Sequence, residues 1–183
     1  MSRIPLVDPE TAPPKNREAL ERLPVRLNIF RMMAHAETAF RPLLRLGGAI
    51  LSQQQLDSKL REFAILQAAQ HTPGEYEWIQ HVPIAKATGA SDAQIEALSR
   101  GDVTAACFDE LESLVVRFNQ QALADTKVDP ELFDAVRRRL SPREIVELLI
   151  TLGYYAMLAR LTEVTELDLD PPADTVVVDA LRE

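Results

Sequence analysis

The sequence predicts an all-α protein built from about eight or nine helices. The 183 residues include twelve prolines but only six glycines, and alternating runs of β-branched residues are few. Apolar residues recur instead at helical spacing, and several segments open with a capping residue followed by proline or a capping-box partner. A chain of this length can bury a sizeable hydrophobic core as a single domain.

The first part of the chain, residues 1–34, is predicted to be a proline-rich arm with one short helix. Five prolines interrupt the stretch that ends at Pro24. Asn28 is predicted to cap a second segment that ends near His35. The main helical domain is predicted to span residues 35–165.

The main domain is predicted to begin with a helix from Glu37 to Leu51 and a second, largely apolar helix from about Gln55 to Gln70. Gly74 then breaks the chain. The next helix runs from Glu75 to about Thr88, where Gly89 follows as a C-terminal glycine. Because the connection between these last two helices is short, they are expected to be antiparallel neighbours.

Capping motifs mark the helices of the second half. Ser91 and Gln94 form a capping box that opens a short helix ending at Ser99. Apolar residues at steps of four, three and four predict an amphipathic helix from about Asp109 to Ala124. Asp129 precedes a proline at the first position of a further helix.

The last long helix is predicted to run from Pro142 to about Glu163, with Ser141 as its cap. It is apolar nearly all round, which indicates a buried helix. Residues 166–183 form an acidic C-terminal tail. Within the tail, Thr175–Val178 is interpreted either as a strand-like docking segment or as a loose end.

The composition argues against nucleic-acid binding and redox cysteine chemistry. The formal net charge is −8, whereas phosphate contacts need clustered Lys and Arg side chains. The basic run Arg137–Arg139 is interpreted as a solvated helix face. Cys107 is the only cysteine, so the chain cannot form a Cys-x-x-Cys centre or an intramolecular disulfide. This usage predicts a cytoplasmic protein.

Neither export nor membrane insertion is expected from the sequence. Met1 is followed by polar and proline-rich residues rather than an apolar signal core. The longest apolar stretch, Ile145 to Leu161, is interrupted by Glu147 and Arg160. Its length and these charges indicate a buried helix rather than a membrane span.

Glu77 and His81 are the first candidate catalytic residues. They lie four positions apart, which makes them neighbours on one face of a helix. A neighbouring carboxylate can orient an imidazole ring and stabilise its cationic form, whereas burial opposes that charge. The alternative interpretation is a structural pair that satisfies a buried ring.

Glu62 is the third candidate because it shares a helix stripe with Ile65 and Leu66. A carboxylate that faces an apolar core is costly unless it is paired or protonated. Burial there would raise its pKa towards the range that suits a proton shuttle. The alternative interpretation is a surface glutamate that pairs with Lys59, one turn earlier.

Tyr76 and His71 are predicted to contact a bound substrate. Tyr76 can donate a hydrogen bond, and His71 is placed at the end of the Glu62 helix, where the helix dipole also favours a histidine. His71, Glu75, Glu77 and His81 contain enough donors for a metal ion. They match no zinc or di-iron motif, so neither a metal nor another cofactor is predicted.

The frame Glu62-x11-Gly74-x2-Glu77-x3-His81 resembles the carboxymuconolactone decarboxylase family, which includes the alkylhydroperoxidase D (AhpD) proteins. In the peroxidase branch of that family, the positions of Gly74 and Glu77 are a redox pair of cysteines. Neither residue carries sulfur here. The resemblance implies an AhpD-like helical bundle over about residues 35–165, a trimeric or hexameric assembly, and a place for Glu62 in a proton-relay site.

The resemblance also implies a function, namely a cofactor-free lyase that acts on a small carboxylated lactone or ring acid. His81 is expected to protonate the carbanion left by decarboxylation, with Glu77 as its orienting partner and Glu62 as a second proton carrier. Two alternatives remain open. One is an alkylhydroperoxidase-like antioxidant protein, which the missing cysteine pair disfavours, and the other is a non-catalytic oligomer that binds a small ligand.

Overall fold

The computed structural model describes residues 1–180, which contain helices and no β-strand. The all-α prediction is confirmed, and a short C-terminal helix takes the number of helices to ten. The helices are α1 (Pro14–Glu21), α2 (Asn28–Met33), α3 (Phe40–Ser52), α4 (Ser58–His71), α5 (Glu75–Ala87), α6 (Asp92–Ser99), α7 (Glu110–Asp125), α8 (Pro130–Arg137), α9 (Pro142–Val164) and α10 (Val176–Ala180).

The capping boxes predicted at Ser91 and Ser141 open α6 and α9, and Asp109 forms a third box at the start of α7. The cap predicted at Asn28 is wrong. Asn28 is the first residue of α2 and not its cap, and the preceding Leu27 has no side chain that could accept a hydrogen bond. The C-terminal segment supplies the missing acceptor, because Asp170 Oδ2 lies 2.6 Å from the backbone nitrogen of Asn28.

Helix α4 is the centre of the fold. Every residue from Leu60 to Ala69 is buried, and the helix packs against α5, α7 and α9. One hydrophobic cluster lies on the side of α6, α7 and α8, and a second lies on the side of α1, α2 and α3. The two clusters explain why α4 carries apolar residues on most of its surface.

Helix α9 differs from its prediction because only one side of it is buried. Its exposed apolar side chains follow helical spacing along the other side and include Val146, Leu149, Ile150 and Met157. By length and composition α9 alone among the described helices could cross a membrane, but 56% of its most apolar window is buried within the fold. A core helix of a soluble protein passes the same test, so we assign α9 to the core.

Both ends of the chain pack on the side of the second cluster. Residues of α1 and α2 join that cluster, and so does Leu167, which follows α9. The strand-like interpretation of Thr175–Val178 is wrong, because these residues lie in a turn and in α10. Residues 181–183 of the predicted tail lie outside the described part of the chain.

Candidate active site

A buried chain of three side chains links α4 to α5. The Nε and Nη2 atoms of Arg61 donate hydrogen bonds to Glu62 Oε1 over 3.0 and 2.9 Å. Arg61 Nη1 donates a third bond to the carbonyl oxygen of Leu51. Glu62 is fully buried, and its Oε2 atom lies 2.9 Å from Nδ1 of His81. The alternative pairing of Glu62 with Lys59 is wrong, because Lys59 pairs with Glu112.

This chain of hydrogen bonds fixes the tautomer of His81. A carboxylate that pairs with a guanidinium group accepts hydrogen bonds and donates none. The hydrogen between Glu62 and His81 therefore belongs to Nδ1 of the imidazole, an assignment that follows from the hydrogen-bond network. Nε2 of the neutral ring is then left with a free lone pair.

His81 forms part of the wall of a cavity of about 150 Å³ between α2, α3, α5 and α9. The wall is mostly apolar and is formed by Leu23, Pro24, Leu27, Ile29, Phe30, Met33, Leu44, Gly47, Gly48, Leu51, Tyr76, Glu77, Gln80, His81, Ile84, Tyr154, Tyr155, Leu158, Ala173 and Asp174. Gly47 allows α3 to approach α9, since a Cβ atom there would lie 2.6 Å from the Tyr154 hydroxyl oxygen. Glu62 lies behind His81 and is not part of the wall.

Glu77 is the buried carboxyl group of the cavity wall. The residue is 3% exposed, and the Thr162 hydroxyl donates a hydrogen bond to its Oε2 atom over 3.1 Å. Burial raises the pKa of Glu77 to about 7, although hydrogen bonds to its carboxylate and the charge of His81 oppose the rise. The orienting contact with His81 that was predicted for Glu77 is made by Glu62 instead.

Tyr155 is a residue of the site that the sequence analysis missed. It is 3% exposed, and its ring meets that of His81 edge-on, with 4.8 Å between ring centroids. Its hydroxyl group makes no hydrogen bond to any described residue, and Tyr155 is one of the residues that line the cavity. Burial raises the pKa of this hydroxyl well above its usual range, so it remains a donor. A tyrosine in a helix predicted to be buried is the one signal that could have identified it, because buried hydroxyls need partners.

The two residues predicted to contact substrate have different positions. Tyr76 lines the cavity, but its hydroxyl already donates to Asp170 Oδ2 and accepts from the backbone N–H of Ile29. The prediction for His71 is wrong. His71 is exposed and lines other grooves, because nine residues at 100° each place it opposite Glu62 on α4.

The C-terminal segment 168–174 covers one side of the cavity. Gln80 Nε2 donates to the carbonyl oxygens of Asp170 and Pro171, and Gln80 Oε1 accepts from the backbone N–H of Ala173. Ala173 and Asp174 themselves form part of the wall. This part of the predicted tail is therefore held in place by α5 and by the start of α2.

Comparison with known proteins gives one match to a protein family. Residues 37–120 match the sequence model of the carboxymuconolactone decarboxylase family. This match covers 84 of the 183 residues and includes the frame from Glu62 to His81. Among curated proteins, none matches the chain.

Solved structures share this AhpD-like fold over most of the chain. An uncharacterized peroxidase-related protein with an alkylhydroperoxidase AhpD core, from Ralstonia eutropha, has a TM-score of 0.78 at 16% identity, covering 97% of this chain and 95% of that one. A peroxidase-related protein from Silicibacter has a TM-score of 0.76 at 15% identity, covering 92% of each chain. A putative antioxidant defence protein AhpD from Agrobacterium tumefaciens has a TM-score of 0.64 at 19% identity, covering 72% of this chain and 90% of that one. At these identities the likeness establishes the fold.

This AhpD-like chain has no room for a side chain at Gly74. A Cβ atom there would lie 2.7 Å from Ala159 Cβ and 2.8 Å from Glu77 Oε2. The glycine therefore leaves space for the Ala159 side chain and for the Glu77 carboxyl group. Cys107 is not a substitute, because it does not line the cavity and its sulfur contacts the carbonyl oxygen of Ala93.

The four residues considered as possible metal ligands, His71, Glu75, Glu77 and His81, do not lie together in the structure. His71 lines a different groove from Glu77 and His81. Within residues 1–180, no group of three or more His, Cys, Asp and Glu side chains has an arrangement that could hold a metal ion.

Glu77→Gln is expected to change how stability depends on pH. The folded-state pKa of about 7 exceeds the ordinary value of 4.5, so between these pH values the folded protein binds more protons than the unfolded chain. The free energy of unfolding therefore falls as the pH rises through this window, by about 3 kcal/mol in total. Denaturant unfolding between pH 4.5 and 8 should show this fall in the unsubstituted protein and not in Glu77→Gln.

Glu75→Gln is the matched control, because Glu75 is an exposed carboxyl group two residues away on the same helix. It should leave the pH dependence unchanged. Parallel curves for Glu77→Gln and the unsubstituted protein would mean that Glu77 ionises freely in the folded state.

Proposed function

We propose that the protein is a cofactor-free acid–base enzyme that transfers a proton at a carbon atom beside the carbonyl group of a small substrate. The observation that carries this proposal is the buried chain Arg61–Glu62–His81, which ends at the cavity. A buried carboxyl group with a shifted pKa and an unpaired hydroxyl group face the same space. Perturbed titratable groups that converge on an apolar cavity are typical of catalytic sites.

Three side chains of the cavity wall, together with Glu62 behind His81, have distinct parts in this reaction. His81 Nε2 removes a proton from carbon, and Glu62 stabilises the resulting imidazolium through Nδ1. Tyr155 donates a hydrogen bond to the oxygen on which negative charge develops. Burial raises the pKa of Glu77 to about 7, so its carboxyl group is available in the protonated form near neutral pH and can return a proton to carbon.

Two reactions fit this arrangement. In a lyase reaction on a carboxylated lactone or ring acid, carbon dioxide leaves and the carbanion is protonated at carbon by the protonated Glu77 or His81. In an isomerisation, His81 first removes a proton and Glu77 supplies another. The family match favours the lyase, whereas a cavity wall without lysine or arginine favours the isomerisation, and both reactions end with protonation at carbon.

Exchange of carbon-bound hydrogen with solvent tests the shared step. In D2O the protein should catalyse incorporation of deuterium beside the carbonyl group of cyclohexanone or a saturated γ-lactone, measured by proton NMR. His81→Gln should abolish the catalysed exchange, whereas His71→Gln should retain it because His71 lies outside the cavity. Binding of these compounds without any catalysed exchange would favour a non-catalytic ligand-binding protein.

The likeness to AhpD proteins also supports an antioxidant function, which has a specific test. The described cavity wall contains no cysteine, and Cys107 has no second cysteine in the chain to form a disulfide. We therefore expect no peroxide consumption above background with a dithiol reductant, and no effect of Cys107→Ser. Peroxide turnover that Cys107→Ser abolishes would contradict the acid–base proposal and favour the antioxidant function.

We also propose that the protein is a cytoplasmic homo-oligomer, a trimer or a hexamer, in which a second copy covers the exposed side of α9. Large exposed apolar patches are rare on monomers, and closed symmetric assemblies commonly cover them. The patch continues into an open groove of about 490 Å³ that Phe133 and Leu149 help to line. Light scattering at micromolar concentration should give a mass of three or six subunits.

Ile150→Glu should reduce the mass to that of one subunit, because Ile150 is an exposed member of the patch. Ile4→Glu is the matched control, since Ile4 is an exposed apolar residue in the N-terminal arm. A single species of 20.5 kDa for the unsubstituted protein would contradict the oligomer proposal.

A further inference from the structure

The charge of the cavity wall restricts the kind of substrate that the cavity can bind. Among the described residues of the wall there is no lysine or arginine, whereas Glu77 and Asp174 are acidic. Arg61 is the nearest buried cation along the chain of hydrogen bonds. It is not available to a ligand, because Nε, Nη1 and Nη2 all donate to Glu62 or Leu51.

A carboxylate would be bound unfavourably in these surroundings. An ionised group that leaves water for an apolar site needs a paired charge or several hydrogen bonds. His81 could supply a positive charge only when protonated, and that charge already faces Glu62 Oε2 at 2.9 Å. The carboxyl group of Glu77 adds a like charge whenever it is ionised.

The polar groups of the wall can recognise one oxygen atom. Tyr76, Tyr154 and Gln80 have hydroxyl or amide groups that are already bound to the protein. Tyr154 donates to the carbonyl oxygen of Leu43, and the other two hold the C-terminal segment. The Tyr155 hydroxyl therefore remains as a donor for a carbonyl oxygen, in addition to the Glu77 carboxyl group when it is protonated. The Tyr155 ring meets that of His81 edge-on, with 4.8 Å between ring centroids.

The size of the cavity restricts the substrate further. An apolar cavity of about 150 Å³ accommodates a molecule the size of benzene. The cavity of this protein has that volume, with apolar side chains from α2, α3 and α9 on its wall. A five- or six-membered ring therefore matches the volume of the cavity.

We infer that the substrate is an uncharged, mostly apolar ring ketone or lactone with one carbonyl oxygen bound by Tyr155, and not a ring acid. This inference rests on the proposed function for the reaction but not for binding. With a β,γ-unsaturated ring ketone, His81 Nε2 takes the α-proton, and the C–H electron pair forms the dienolate whose oxygen Tyr155 holds. Glu77 then protonates the γ-carbon, and His81 returns its proton to Glu77, so one proton and one double bond have moved.

A matched pair of ligands tests the charge preference with the full-length protein in its native assembly. The probes are 3-oxocyclohexane-1-carboxamide and 3-oxocyclohexane-1-carboxylate, which have the same ring and the same number of heavy atoms. Calorimetry or ligand-observed NMR at pH 7.5 should show that the carboxamide binds at least ten times more tightly. Equal or tighter binding of the carboxylate, or no binding of the carboxamide at 10 mM, overturns the inference.

Two variants locate the preference in this cavity. Leu27→Arg adds a cation to a half-buried position of the wall and should raise the affinity for the carboxylate at least fivefold relative to the carboxamide. Tyr155→Phe should weaken binding of cyclohexanone several-fold while leaving methylenecyclohexane unchanged. If neither variant has its effect, the ligands bind elsewhere and the inference fails.

These measurements separate the substrate class from the proposed function. If the carboxamide binds more tightly than the carboxylate but no deuterium exchange is catalysed, the proposed acid–base activity is wrong. The inference that the ligand is an uncharged ring compound then still holds. Catalysed exchange together with a preference for the carboxylate rejects the ligand class, keeps the enzyme and favours decarboxylation.

Discussion

Arg61→Met is expected to lower the free energy of unfolding by about 3–5 kcal/mol, the usual cost of removing one partner from a buried ion pair. The substitution keeps a long apolar side chain but leaves Glu62, which is fully buried, without the three-centre contact from the guanidinium group. It also leaves the carbonyl oxygen of Leu51 without its hydrogen bond. Urea unfolding at pH 7 measures the loss.

Arg137→Met is the matched control because Arg137 pairs with Asp134 at the surface, where an ion pair contributes less than about 1 kcal/mol. The double variant Arg61→Met/Glu62→Gln should recover part of the loss, since no unpaired buried charge remains. Equal stabilities of Arg61→Met and Arg137→Met would show that Glu62 is hydrated or protonated and that the buried chain does not exist in solution.

His81→Ala is expected to lower the rate of catalysed proton exchange by on the order of a hundredfold or more, the scale of general acid–base catalysis. Glu62→Gln should cost nearly as much, because an amide does not hold Nδ1–H as a carboxylate does and does not stabilise the imidazolium. The double variant Glu62→Gln/His81→Ala should be no slower than His81→Ala, because residues that act as a unit have non-additive effects.

The pH profile separates this role from a merely structural one. The rate should fall above about pH 7 as Glu77 loses its proton, and Glu77→Gln should remove that fall together with most of the rate. His71→Ala is the control for the loss of a histidine outside the cavity. Losses in the Glu62→Gln and His81→Ala variants that multiply would contradict a shared proton relay.

The sequence predicted those parts of the site that depend on local geometry. Glu62 and His81 meet because a short turn joins α4 to α5, and the helix boundaries there were predicted to within about three residues. The prediction for His71 was wrong because it relied on the position of His71 at the end of the helix that carries Glu62. His71 lies on the opposite face of that helix from Glu62. Helical periodicity alone would have corrected it.

The residues of the site that could not be predicted from the sequence depend on tertiary packing. Tyr155 lies on a helix nearly a hundred residues from Glu62, and no spacing relates the two. Arg61 is adjacent to Glu62 and would ordinarily point away from it, but its long side chain turns back to the carboxylate. The contact of Tyr76 with Asp170 likewise joins segments that are 94 residues apart.

The exposed side of α9 has a different explanation. An apolar pattern around a helix indicates that every side is covered, but it does not distinguish coverage by the same chain from coverage by another copy. The pattern therefore predicted burial of Leu149 and Ile150, which are exposed in the single chain. A second copy of the protein that packs on this side of α9 would bury these residues.

The buried Glu62 carboxylate is expected to hold the hydrogen of His81 on Nδ1 and to leave Nε2 to the cavity. Nitrogen-15 NMR of the three histidine side chains measures this directly. We expect His81 to be the neutral Nδ1–H tautomer at pH 8, with a downfield, slowly exchanging proton that disappears in Glu62→Gln. A hydrogen on Nε2, or a His81 ring that exchanges as rapidly as the exposed His35 and His71, would contradict the claim.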